Sequence, residues 1–142
     1  MTDNEKILTQ INQITQMGQA GINCVMPKAS QPALRQALKV QRLEYQKLGA
    51  QAKNLAKAMG LNPRDSSSIA KRMSAVGSHF KLMAKDPDSK IADMMIQGNT
   101  RGMIQSLKGM HHAKHTDPEV AKLAQKLLDT QINNIRQMEG FV

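Results

Sequence analysis

Aromatic residues are nearly missing from this chain of 142: it has two Phe, one Tyr and no Trp. Alternating runs of β-branched residues are missing too, which leaves no strand candidate. The single cysteine, Cys24, excludes an internal disulfide, and without a Cys pair there is no zinc motif. This usage fits a reducing compartment. Acids are scarce, 11 against 20 Lys and Arg. No apolar leader follows Asp3 and Glu5. Residues 7–27 carry no charge, but eight polar residues from Thr9 to Asn23 interrupt them, so a membrane span there would be costly. The expected location is cytoplasmic.

What is abundant is Met, 11 in all, beside Leu, Ile and Ala. A core built of these residues favours helices. The length suits one domain covering residues 1–142.

Caps and stripes divide the chain into five expected helices. Thr2-Asp3-Asn4-Glu5 reads as a capping box before the stripe Ile7, Ile11, Ile14, Gly18, Ile22, Val25, and Pro27 stops it. Ser30 is the expected cap of the second helix, with Pro32 in its first turn. The second stripe runs Leu34, Leu38, Gln41, Tyr45, Leu48, Ala52, Leu55, Met59, and Gly60 is its expected stop. A third carries Ile69, Met73, Val76, Phe80 and Met83. A fourth starts near Asp88 and holds Ile91, Met94, Met95, Ile96, Met103, Ile104, Leu107 and Met110. Its Gly98, Gly102 and Gly109 suggest close approach to a neighbour. Thr116-Asp117-Pro118-Glu119 reads as a second capping box, with Thr116 as the cap, and opens the fifth, with the stripe Val120, Leu123, Leu127, Gln131, Asn134, Met138.

Short links make helices one and two, and four and five, antiparallel pairs. A third helix of about 20 residues spans roughly 30 Å, enough to return the chain to the opposite end. The expected fold is therefore all-α: a ferritin-like four-helix bundle with an additional helix in its crossover. An up-down five-helix array is the other arrangement these lengths allow.

The stretches KIADMMIQGNTRGMIQSLKGM and DPEVAKLAQKLLDTQINNIRQMEGF resemble the last two helices of small ferritin-like proteins of anaerobic Gram-positive bacteria, among them relatives of spore-coat proteins. About half the chain carries the likeness. It implies an assembly role and a spore-associated place. Metal-binding ferritin-like bundles need a Glu from each of two helices and Glu-x-x-His from each of the other two. Here Gln131 and Asn134 stand at the Glu and His positions, and Glu44 is followed by Lys47 where His would stand. Neutral amides are poor iron ligands and Lys47 repels a cation. The expected remnant is a polar core cluster of Gln41, Glu44, Lys47, Gln131 and Asn134, in which the Gln131 and Asn134 amides hydrogen-bond across the bundle to Gln41 or Glu44 and set helix register, with no metal and no cofactor.

Other candidates are weaker. His111 and His115 could share a helical face, with His112 beside them, but they fall in an expected connection without an acid partner, so a solvated turn is the reading. Cys24 reads as a buried, inert thiol and Tyr45 as core. No nucleophile–base arrangement or phosphate-binding glycine loop supports an enzyme.

The charge is unevenly placed. Residues 30–85 hold 11 Lys and Arg against two acids, a balance of +9; the remainder holds nine of each. Arg35, Lys39, Arg42, Lys53 and Lys57 lie off the second stripe, and Lys71, Arg72, Lys81 and Lys85 follow. Three function classes stand at this point. The first is a non-enzymatic structural or protein-interaction module, self-associating or with a protein partner. The second is a metal-dependent ferritin-like oxidase or iron carrier. The third is an electrostatic binder of nucleic acid or anionic surfaces through the basic helices, for which no recognition motif is present.

Overall fold

The structure, a computed structural model, describes residues 1–62 and 85–142. Four α-helices form it: α1 (Asp3–Val25), α2 (Pro32–Ala58), α3 (Pro87–His112) and α4 (Pro118–Glu139), with a 3-10 turn at Met26–Lys28. The all-α class stands, and α3 and α4 are the expected fourth and fifth helices. The expected helix over Ile69 to Met83 lies outside the described residues, as do Lys71, Arg72, Lys81 and His79.

The helix ends show why the segments start and stop. The Thr2 hydroxyl accepts the Glu5 N–H at 3.1 Å, a side-chain N-cap. Gly60 takes φ +70°, and Leu61 N–H reaches back to the Ala56 carbonyl at 2.8 Å, closing α2 in the glycine-dependent manner. Two expected caps are corrected. Gln31, rather than Ser30, is the capping residue of α2, and its side chain makes no cap bond. Asp117 caps α4, also without a side-chain bond; its own N–H donates to Asn4 Oδ1 at 2.8 Å.

The start of α2 is satisfied from elsewhere. Asp88, in the first turn of α3, accepts Ser30 N–H at 2.8 Å, Gln31 N–H at 2.9 Å and the Ser30 hydroxyl at 2.9 Å. A carboxylate at a helix N-terminus meets both the unpaired N–H groups and the positive end of the dipole. This contact places the starts of α2 and α3 at the same end of the bundle.

Cross-helix contacts settle the directions. Gln10 donates to the Gln105 carbonyl at 3.0 Å while Ile14 lies against Gly102, so α1 and α3 are antiparallel. Gln41 donates to Gln137 at 2.9 Å, with Tyr45 near Asn134, so α2 and α4 are antiparallel too. Adjacent α1 and α2, and α3 and α4, make the most extensive pairings. It follows that α2 and α3 run parallel: the chain leaves α2 at one end and enters α3 at the other.

Between the helices lie Leu8, Ile11, Ile22, Leu34, Leu38, Leu48, Ile91, Leu127 and Met138, all essentially unexposed. Each contributes roughly 1.5–3 kcal/mol of burial. The buried face of α3 differs from the expected one. Ile104 and Leu107 are exposed, and Asn99, Gly102 and Ser106 face the core instead. Extending Ile91 and Met95 by four, three and four reaches those positions, so polar side chains hold the interior register. Among the described residues no helix is long and apolar enough to cross a membrane.

Candidate functional site

A polar layer crosses the middle of the core, in addition to the buried Thr9, Asn12, Thr15 and Gln41. α2 contributes Tyr45, α3 contributes Asn99 and Ser106, and α4 contributes Gln131 and Asn134, each buried. Tyr45 comes from the regular stripe of α2, and its ring lies against Gly18 of α1, where a side chain would collide with it. That contact carries the phenol into the bundle.

The Tyr45 hydroxyl donates a short hydrogen bond to Asn99 Oδ1. Asn99 in turn donates through Nδ2 to the Met95 carbonyl at 2.8 Å, one helical turn back. The amide is thereby oriented with its oxygen toward the phenol. Burial pushes the Tyr45 hydroxyl up to about 12, and the Asn134 amide beside it pulls weakly the other way. Among the described residues Asn134 Nδ2 has no hydrogen-bond partner, consistent with burial outweighing its pull.

Next along α4, Gln131 accepts the Ser106 hydroxyl at 3.1 Å. Its Nε2 occupies the space beside Gly102 that a larger residue would take, and makes no hydrogen bond among the described residues. Gln41 donates to Gln137, and its Oε1 likewise has no partner among the described residues.

The expected cluster is therefore brought together only in part. Gln41, Gln131 and Asn134 are buried as anticipated. Glu44 is half-buried and Lys47 exposed, and neither takes part in the layer. Gln131 meets Ser106, and Asn134 lies beside Tyr45, where Gln41 or Glu44 was the expected partner. Sequence reading missed Asn99 and Ser106. The signal was there: both lie in register with Ile91 and Met95, flanking Gly102.

The donor set decides what this layer can hold. It consists of primary amides, a hydroxyl and a phenol that stays protonated across neutral pH. Iron and manganese sites of helical bundles are made of carboxylates and imidazoles. Among the described residues no three of His, Cys, Asp and Glu converge. The layer does not fit a di-metal centre. Neutral amides and phenols are suited to fixing helix register by hydrogen bonds.

The remaining candidates are spread over the surface. His111 and His112 end α3 rather than lying in the connection, and His115 follows; all three are exposed. His112 Nδ1 pairs with the Lys108 carbonyl at 2.6 Å, and His115 N–H donates to Asp3 at 3.0 Å. Cys24 is exposed, which corrects the expectation of a buried thiol: it lies about 120° round the helix from the α1 stripe. Arg35, Lys39, Lys53, Lys57 and Lys85 are exposed and Arg42 is half-buried. Arg42 donates to Asn23 Oδ1 at 2.9 Å and Arg35 to the Ala29 carbonyl at 3.2 Å.

The chain matches no family model, and no curated protein is significantly similar to it. Its structure is similar to the crystal structure of a DUF305 fragment from Deinococcus radiodurans. The two agree with a TM-score of 0.76 at 17% identity, over 99% of this chain and 95% of that one. At that identity the likeness concerns the fold alone.

Proposed function

We propose that this chain is a non-enzymatic bundle of ferritin-like topology that serves as a structural or protein-interaction module. In it, an amide–phenol layer stands where metal-binding bundles hold their metals. Two features support the topology: α2 and α3 are parallel, and one long connection joins them, the pattern of bundles with a single crossover. The observation that carries the functional reading is the composition of the layer. Tyr45, Asn99, Ser106, Gln131 and Asn134 supply no carboxylate or imidazole. They serve packing specificity, and function then lies on the outer surface. The resemblance to spore-coat relatives favours assembly, with self-association as its simplest form.

Two solution measurements test this. Calorimetric titration with Fe(II) or Mn(II) is expected to show no stoichiometric binding; a one- or two-site isotherm sensitive to Asn134→Leu would refute the reading. Light scattering over a wide concentration range is expected to show assemblies larger than one chain. A strict monomer at high concentration contradicts self-association.

A further inference from the structure

The net charge of the described helices is concentrated on one of them. α2 holds six Lys and Arg and one acid; α1 holds one cation and two acids, α3 three and two, α4 three and three. With 3.6 residues per turn, Arg35, Lys39, Arg42, Lys53 and Lys57 fall within an arc of about 60° on α2. They extend over 22 residues, roughly 33 Å at about 1.5 Å per residue. Glu44, the single acid of the helix, lies about 170° round from the centre of that row.

Within the row, like charges are neighbours. Arg35 and Lys39, and Lys53 and Lys57, are spaced i, i+4, and Lys39 and Arg42 i, i+3. Such pairs weaken a helix instead of supporting it. Among the described residues none of these five side chains has an acidic partner. Arg35 and Arg42 bond a carbonyl and an amide oxygen, contacts that leave their charge uncompensated. Beside the row, between α1 and α2, runs a groove of about 210 Å³ lined by Gln19 of α1 and by Gln46, Gly49 and Lys53 of α2, among others.

We infer that this flank of α2 binds the phosphate backbone of duplex nucleic acid, without sequence preference. This goes beyond the module reading by naming the partner of its surface. A rigid row of cations bordered by amide donors matches the groups that contact phosphates. Its length is close to one turn of a duplex, a polymer whose charge repeats about every 1.7 Å along the axis. A folded protein partner calls for an apolar centre, and an anionic membrane for apolar side chains that insert. The exposed Val40 and Leu43 lie about 130° and 70° away from the centre of the row, so the row itself offers neither. The row itself carries no aromatic residue for base stacking.

The test is fluorescence anisotropy with two unrelated 20-base-pair duplexes in low salt, using the full chain. Both duplexes are expected to bind alike, with log K falling against log salt at a slope of about −4.5, about 0.9 for each of five phosphates neutralised. The triple variant Lys39→Gln, Lys53→Gln, Lys57→Gln is expected to lose at least about tenfold in affinity and to flatten the slope by about 2.7. A control with the same charge change, Lys108→Gln, Lys122→Gln, Lys126→Gln, is expected to keep most of the binding. The three single Gln variants of the row provide the same comparison if the triple variant loses helicity. No binding in low salt, an equal loss in the control, or binding to phosphatidylserine vesicles without binding to duplex overturns the inference.

Discussion

Gly18 of α1 and Tyr45 of α2 share one space: a Cβ at Gly18 would lie 2.6 Å from the Tyr45 ring. The ring cannot swing aside cheaply, because its hydroxyl is bonded to Asn99 across the bundle. Gly18→Ala is therefore expected to destabilise the fold by about 1–3 kcal/mol through overpacking. Gly21, three residues on, meets nothing within 4 Å, so Gly21→Ala should stabilise by about 0.5–1 kcal/mol through helix propensity. Thermal melts of the two variants should shift in opposite directions.

Tyr45 is the only tyrosine, so its ionisation can be followed by ultraviolet absorbance without interference. The titration is expected near pH 12 in the folded protein, from an ordinary value of 10. A folded value above the unfolded one means that the contribution is fully present below pH 10 and is lost as pH rises from 10 through 12. Tyr45→Phe removes the donor to Asn99 Oδ1 and leaves that buried oxygen unpaired, a loss of about 1–3 kcal/mol. A tyrosine that titrates near 10 in the native protein would show the phenol to be solvated.

Asp88 is the reciprocal case. Burial raises its carboxyl, but the Ser30 and Gln31 N–H groups and the Ser30 hydroxyl outweigh that and hold it below 3.8. A lowered folded value contributes stability above the unfolded value, and that contribution disappears as pH falls below about 4. Asp88→Ala is expected to lose about 2 kcal/mol, since a cap and charge-assisted bonds go together. The wild-type advantage over Asp88→Ala in chemical denaturation should shrink as pH is lowered from 5 to 2. A constant difference would show that the carboxylate charge is irrelevant.

Cys24 is exposed, so a thiol reagent should modify the native protein about as fast as the unfolded chain. Protection that disappears only on unfolding would contradict this placement.

The legible part of this protein was its apolar skeleton. Leu34, Leu38, Tyr45 and Leu48 repeat at helical spacing and are buried as that spacing requires. The antiparallel pairs followed from short links; parallel α2 and α3 were one of the two arrangements that the long connection allowed. The polar interior was harder to read. Asn99 and Ser106 carry no apolar signature, and Ile104 and Leu107 suggested a different face for α3. Burial was decided by the match of Asn99 to Tyr45 and of Ser106 to Gln131, relationships between helices far apart in sequence. Asp88 escaped notice as a cap because the helix it caps begins 56 residues earlier, at Pro32. Glu44 and Lys47 were placed in the cluster by analogy with a metal motif, whereas helical geometry turns them away from Tyr45.

Metal content tests the central claim most directly. Untagged protein, expressed with iron and manganese supplied and purified without chelator, should contain neither metal in stoichiometric amount by elemental analysis. Its melting curve should be unchanged by added chelator, because amides and a protonated phenol hold the interior layer. One or two metal ions per chain, retained through purification and required for the native melting temperature, would contradict the account.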